Sequence, residues 1–142
     1  MLQKLTATDG NPATTILRVV LGTVFFAHGA QKLLGWFGGY GFSGTMGYFT
    51  GAMHIPWIFA LLAIAAEFFG SLGLMLGLFT RPVAFLLSGE MAIGYFRTHA
   101  PRSFWPLLNG GEITVFYCFM FLWLSSAGAG AWSLDRLLGR KH

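Results

Sequence analysis

Cysteine is almost absent: Cys118 is the only one, which excludes an intrachain disulfide, a dithiol redox pair and a cysteine-rich metal site. Charge is scarce too. Only 10 % of the 142 residues are charged, where a soluble domain carries about 25 %, and so few charges cannot cover a water-facing surface. The net charge of +4 does not point to nucleic acid, because the basic residues stand singly rather than in a stripe. Also missing are a phosphate-cradling glycine loop after a strand, a nucleophilic triad, a Cys-x-x-Cys-His haem attachment and a His-Glu-x-x-His motif. No metal site and no flavin, haem or iron-sulfur group is expected in the chain itself.

What is present is apolar. Hydrophobic residues make up 55 % of the chain, with 20 Gly and 15 Phe, a mixture suited to helices packing closely in lipid. The length fits a single domain over residues 1–142. A spanning helix needs roughly 20 mainly apolar residues, and four segments approach this: 15–34, 55–79, 82–97 and 112–127. The third is short and carries Glu90, but Thr80, Arg81 and Pro82 supply a turn and helix start before it. Residues 1–15 are polar and show no small-residue cleavage site, so the first helix is expected to remain rather than leave as a signal peptide. The fold class expected is all-α, a four-transmembrane-helix bundle.

Basic residues give an orientation. Lys4, Arg18, Arg81, Arg136, Arg140 and Lys141 fall on one side, and Lys32, Arg97 and Arg102 on the other, which predicts both termini in the cytoplasm of a multi-pass protein. Between the first two helices lies a Gly and aromatic stretch in which Phe42, Met46, Phe49 and Met53 recur at helical spacing. A short amphipathic interfacial helix is expected there, as an anchor or a lid. Residues 133–142, with Ser133 as N-cap, Leu134, Leu137 and Leu138 on one side and a basic end, predict a surface helix attracted to anionic lipid.

The polar residues inside apolar segments carry the chemistry. Glu67 shares a face of the second helix with Ala60, Ala63, Gly70 and Gly77, and Gly73 with Gly77 forms a small-xxx-small pair. A lipid-facing acid costs about 2.5–3.5 kcal/mol even on a lenient scale, so Glu67 and Glu90 are expected to point into the bundle. Gly94 and Arg97 follow Glu90 at offsets of four and seven. Towards the outer end gather His28, Gln31, Lys32, Arg97, His99, Asn109 and Glu112. Two readings stand for the acids: a functional pocket, or pairing with Lys32 or Arg97 that locks helices together. Asn109 and Glu112 resemble a capping box, a structural role.

Taken in order, His28-Gly29-Ala30-Gln31-Lys32-Leu33, Glu67 with Gly70, Gly77-Leu78-Phe79-Thr80-Arg81, Asn109-Gly110-Gly111-Glu112 and Gly128-Ala129-Gly130-Ala131-Trp132-Ser133-Leu134-Asp135 resemble the DoxX family of small bacterial membrane proteins. The resemblance runs from Leu17 to Leu138. It implies a four-helix inner-membrane protein; some relatives are linked to quinone-dependent thiosulfate oxidation, others to membrane assemblies that handle oxidative or thiol stress. His28, Gln31, Lys32, Glu67, Asn109 and Glu112 match family-like polar positions, and Glu90 fits a subset. The expectation is a redox-associated subunit in the lipid bilayer that accepts a quinone headgroup. His28 and Lys32 would donate hydrogen bonds and Glu67 or Glu90 would handle protons. Electrons would come from soluble or membrane redox partner proteins, or from a substrate that reduces quinone directly. A proton-coupled small-molecule transporter, formed as a homo-oligomer, and a membrane scaffold recruiting redox or stress-response proteins are the alternatives.

Overall fold

In a computed structural model describing residues 2–139, the chain is helical and contains no strand among the described residues. Its elements are α1 (Leu2–Leu5), α2 (Pro12–Leu33), a 3-10 turn (Trp36–Gly38), α3 (Gly41–Gly47) running into a π-helical turn (Tyr48–Ala52), and α4 (Trp57–Leu76). There follow α5 (Thr80–Gly94) with a π turn (Tyr95–His99), α6 (Pro106–Asn109), α7 (Glu112–Ala127) and α8 (Leu134–Gly139). Of these, α2 and α4 are long and apolar enough to cross a membrane, while α7 is apolar but shorter.

Local chemistry sets the ends. Helix α2 begins earlier than the apolar run implies because the Asn11 side chain accepts the Ala13 N–H at 2.9 Å and Pro12 occupies the first turn. Gly77 ends α4 in the left-handed region at φ 66°, with Leu78 N–H returning to the Gly73 carbonyl. Phe79 follows at φ 49°, a strained value for a side chain with a Cβ. The Asp135 carboxylate offsets that strain: it accepts Phe79 N–H at 2.7 Å and Thr80 N–H at 2.8 Å, capping α5 from across the fold.

The helices pack as two pairs. Helix α2 lies along α4 and α5 along α7, the pairs being joined by the α4–α5 turn, while α2 and α7 touch only lightly. The α2–α4 approach depends on glycine. A Cβ at Gly29 would stand 2.7 Å from the Phe68 backbone, and one at Gly22 would stand 3.1 Å from the Met75 backbone nitrogen. These two glycines make the seam; Gly77, expected to serve helix packing, instead ends its helix against Ser133 and Arg18. Leu21, Phe25, Leu74, Ala84, Leu87, Tyr117, Phe121 and Leu124 fill the space between the pairs towards the chain termini. Met46 of α3 packs on Ala60 and Ile64 at the other end, whereas Phe42 of the same apolar pattern is exposed. Outward, all four long helices show large apolar side chains, including Val20, Phe59, Phe85 and Phe116.

Arg18, counted above as a topology charge, is 1 % exposed. Its guanidinium donates to the carbonyls of Ala129 at 2.8 Å, Met75 at 2.7 Å and Trp132 at 2.7 Å, and also to Leu74. Five donors in a planar fork satisfy the open C-terminal carbonyls of α4 and hold the segment before α8 in one step. The tail is correspondingly more than a surface helix. Ser133 does cap it, accepting Arg136 N–H at 3.2 Å, but Asp135 is buried and locks α8 onto the α4–α5 turn. Arg140, Lys141 and His142 lie outside the described residues.

Candidate functional site

Helical side chains lean towards their own N-terminus. Lys32, near the end of α2, therefore reaches back along the helix, and its ammonium pairs with the Glu67 carboxylate of α4. The glycine seam makes the reach possible, since Gly29, one turn earlier, brings the Glu67–Phe68 backbone against α2. Glu67 is 5 % exposed and Lys32 26 %, so the pair sits at the mouth of the helix interface rather than in open solvent. Glu90 of α5 stands near this pair, within coulombic reach of both Glu67 and Lys32. Its Oε2 is buried with no hydrogen-bond partner among the described residues. One ammonium beside two carboxyls balances the charge of only one of them, so the cluster is neutral when the carboxyls carry a single proton.

One turn before Lys32, His28 lies exposed on α2 with its ring 5.8 Å from Phe25 and 6.0 Å from Tyr117. Phe25 in turn meets Tyr117 edge-on at 5.1 Å and Phe121 at 4.9 Å. These rings form an aromatic floor from α2 and α7, with the His28 imidazole at its rim. The sequence does not single out Tyr117 and Phe25; the available signal is spacing, Phe25 to His28 three apart and Tyr117 to Phe121 four apart.

The remaining expected site residues divide off. Gln31 donates to the Phe37 carbonyl at 3.2 Å and fastens the 3-10 turn. Arg97 does not face Glu90: the wider π turn at Tyr95–His99 rotates it outward, where it is exposed and donates to the Met53 carbonyl at 2.7 Å. His99 stacks on Tyr95, with Nδ1 3.2 Å from the Asn109 carbonyl and Nε2 3.4 Å from the Thr114 hydroxyl. Asn109 is buried, donating to the Tyr95 hydroxyl at 3.0 Å and to the Ser103 carbonyl at 2.6 Å. Its side-chain oxygen accepts Gly111 N–H at 2.7 Å, so it closes a turn two residues on instead of forming the expected capping box. Glu112 is exposed in the first turn of α7, where its charge suits the helix dipole. One polar layer in the sequence is therefore two structures: a cluster of His28, Lys32, Glu67 and Glu90, and a bracing network around His99 and Asn109.

Fold and cluster together define a small all-helical membrane protein with an ion pair and a second carboxyl enclosed between its helices. A family model described as DoxX matches residues 13–100. The chain is 41 % identical over 128 residues to an uncharacterized protein of Haemophilus influenzae, covering 88 % of this chain and 90 % of that one. It is 33 % identical over 134 residues to the inner membrane protein YqjF of Escherichia coli, covering 89 % and 92 %. A Bacillus subtilis protein, CatD, whose name carries a provisional oxidoreductase assignment, is 35 % identical over 131 residues, covering 91 % and 90 %. No solved structure matches. The chain belongs to the DoxX family.

Proposed function

We propose that the protein is a four-span inner-membrane subunit, both termini cytoplasmic, that binds the headgroup of a quinone or a similar small apolar carrier at the His28–Lys32–Glu67–Glu90 cluster. Three features support the spans. Apolar side chains line the outward face of each long helix; α2 and α4 measure about 33 and 30 Å at 1.5 Å per residue; and the π turn after α5 extends that helix to His99. Helix α7, at about 24 Å, crosses with local thinning of the bilayer. The inner-membrane placement draws on the name of the YqjF relative, and the redox association on that of CatD.

The observation that carries the ligand reading is the combination of a partnerless carboxyl oxygen on Glu90, a charged pair beside it and a rim imidazole over an aromatic floor. A quinone headgroup is flat, apolar on its faces and hydrogen-bond accepting at its two carbonyls. Such a ring would lie against the Phe25–Tyr117 pair rather than between its members, and the His28 ring and Tyr117 hydroxyl would donate to it. A bound quinone supplies two-electron, two-proton carrier chemistry, with the electrons delivered by a redox partner protein. Within the chain, Glu67 and Glu90 hold the exchangeable proton, and Lys32 keeps the pair near neutral in a medium where an unpaired charge is costly.

The test is to purify the protein from native membranes, check that it is monodisperse, and measure retained quinone per protein by mass spectrometry. Wild type retains quinone, Glu67→Gln retains less, and His28→Ala loses it. Wild type devoid of quinone, or variants that hold as much as wild type, would remove the reading.

A further inference from the structure

The two helix pairs close unevenly. Towards the termini, the seam between α2 and α7 is sealed by Phe25 against Tyr117 and Phe121, with Leu21 and Leu124 behind them. Towards the other end, α2 and α7 have little contact, and the side chain that stands in the gap is His28. Its ring packs beside the aromatic rings of Phe25 and Tyr117, and no described residue hydrogen-bonds it. His28 lies sixteen residues into α2 from Pro12, about 24 Å along an axis of about 33 Å. That depth is within the outer part of a bilayer's apolar core, where lipid tails offer an imidazole no hydrogen-bond partner. An exposed polar ring at that depth is best satisfied by a molecule that brings the missing acceptor.

We infer that the outer half of the α2–α7 seam is a lateral portal, through which an apolar molecule with a hydrogen-bond-accepting headgroup enters the Lys32–Glu67–Glu90 cluster directly from the bilayer. The inference rests on the ligand reading above and adds the route. The chemistry of the two sides fits. A membrane-dissolved carrier arrives headgroup first past His28, its apolar tail staying among lipid chains beside exposed Val24 and Phe116. The sealed inner half keeps the cluster from opening to the cytoplasmic side. Glu90, on the far wall from α2, is the last group reached and the one with an unpartnered oxygen.

Two photoreactive probes in nanodiscs containing the full chain separate the route from the ligand. An apolar diazirine without a headgroup, partitioned into the lipid, labels His28 and Tyr117 as well as outward residues, while Phe121 and Leu124 stay unlabelled. Labelling confined to outward residues such as Val20 and Phe116 overturns the portal, even if quinone co-purifies with the protein. In the second arm, decylubiquinone added in excess suppresses labelling of His28 and Tyr117 at least severalfold and leaves Val20 unchanged. Labelling of the seam that decylubiquinone does not suppress keeps the portal and ends the quinone reading.

Discussion

At the residue scale, the Lys32–Glu67 pair decides whether the acids are tolerated. Removing one partner of an enclosed pair leaves the other charge uncompensated, whereas removing both is close to neutral. Lys32→Met is expected to destabilise the protein by on the order of 3 kcal/mol, the lower end for a broken buried pair because Lys32 is partly exposed. The double variant Lys32→Met with Glu67→Met recovers most of that loss. Reversible unfolding in detergent measures the cycle, and additive losses would show that the pair does not couple. Much of this is legible in the sequence: the cost of an acid in lipid places Glu67 and Glu90 inward, and the chain offers few cations to meet them. What the residues alone do not separate is Lys32 from Arg97 as the partner. That choice depends on the direction of the Lys32 side chain and on the π turn that swings Arg97 away, and neither follows from helical spacing. Arg18 misleads for the opposite reason. A cation near a helix start looks like a topology signal, and only the return of residues 129–132 to α4 reveals it as a buried cap.

At the element scale, the glycines differ sharply in what they permit. Gly29 carries the backbone contact of α2 with α4, and Gly29→Ala is expected to cost about 1–3 kcal/mol, since neither backbone can yield easily. Gly89 sits in α5, and a Cβ added there would meet nothing within 4 Å. Gly89→Ala is therefore expected to stabilise by about 0.5–1 kcal/mol through helix propensity alone. Thermal melts of the two variants should move in opposite directions; a neutral Gly29→Ala would mean the helices sit further apart than described. Composition and turn residues delimit α7 at 112–127, the bounds the structure has. They also place the start of α5 at the Thr80–Arg81–Pro82 turn, where the structure has it, but they do not reveal its cap, because Asp135 lies more than fifty residues away along the chain. Sequence windows see neighbours along the chain, and this cap is a neighbour only in space.

For the whole molecule, orientation is the property still carried by charge. With Arg18 and Lys32 both engaged inside the fold, each side of the count loses one residue. Lys4, Arg81 and Arg136, with Arg140 and Lys141 beyond the described part, still outweigh Arg97 and Arg102. In a Cys118→Ser background, Arg102→Cys is expected to react with a membrane-impermeant maleimide in spheroplasts, and Lys4→Cys only after lysis. Both positions are exposed, so reactivity reports sidedness rather than burial. The opposite pattern would invert the protein and put its portal in the other leaflet.

The Asp135 cap also bears on the order in which the chain matures. Helix α5 is made more than fifty residues before its cap, so the strained Phe79 and the first turn of α5 wait, unbonded at their amides, until Asp135 has followed. Newly inserted protein is therefore expected to be loose at the α4–α5 corner until Asp135 docks. An early stop near Ser133 would be felt at that corner, some fifty residues back along the chain, as strongly as at the cut itself.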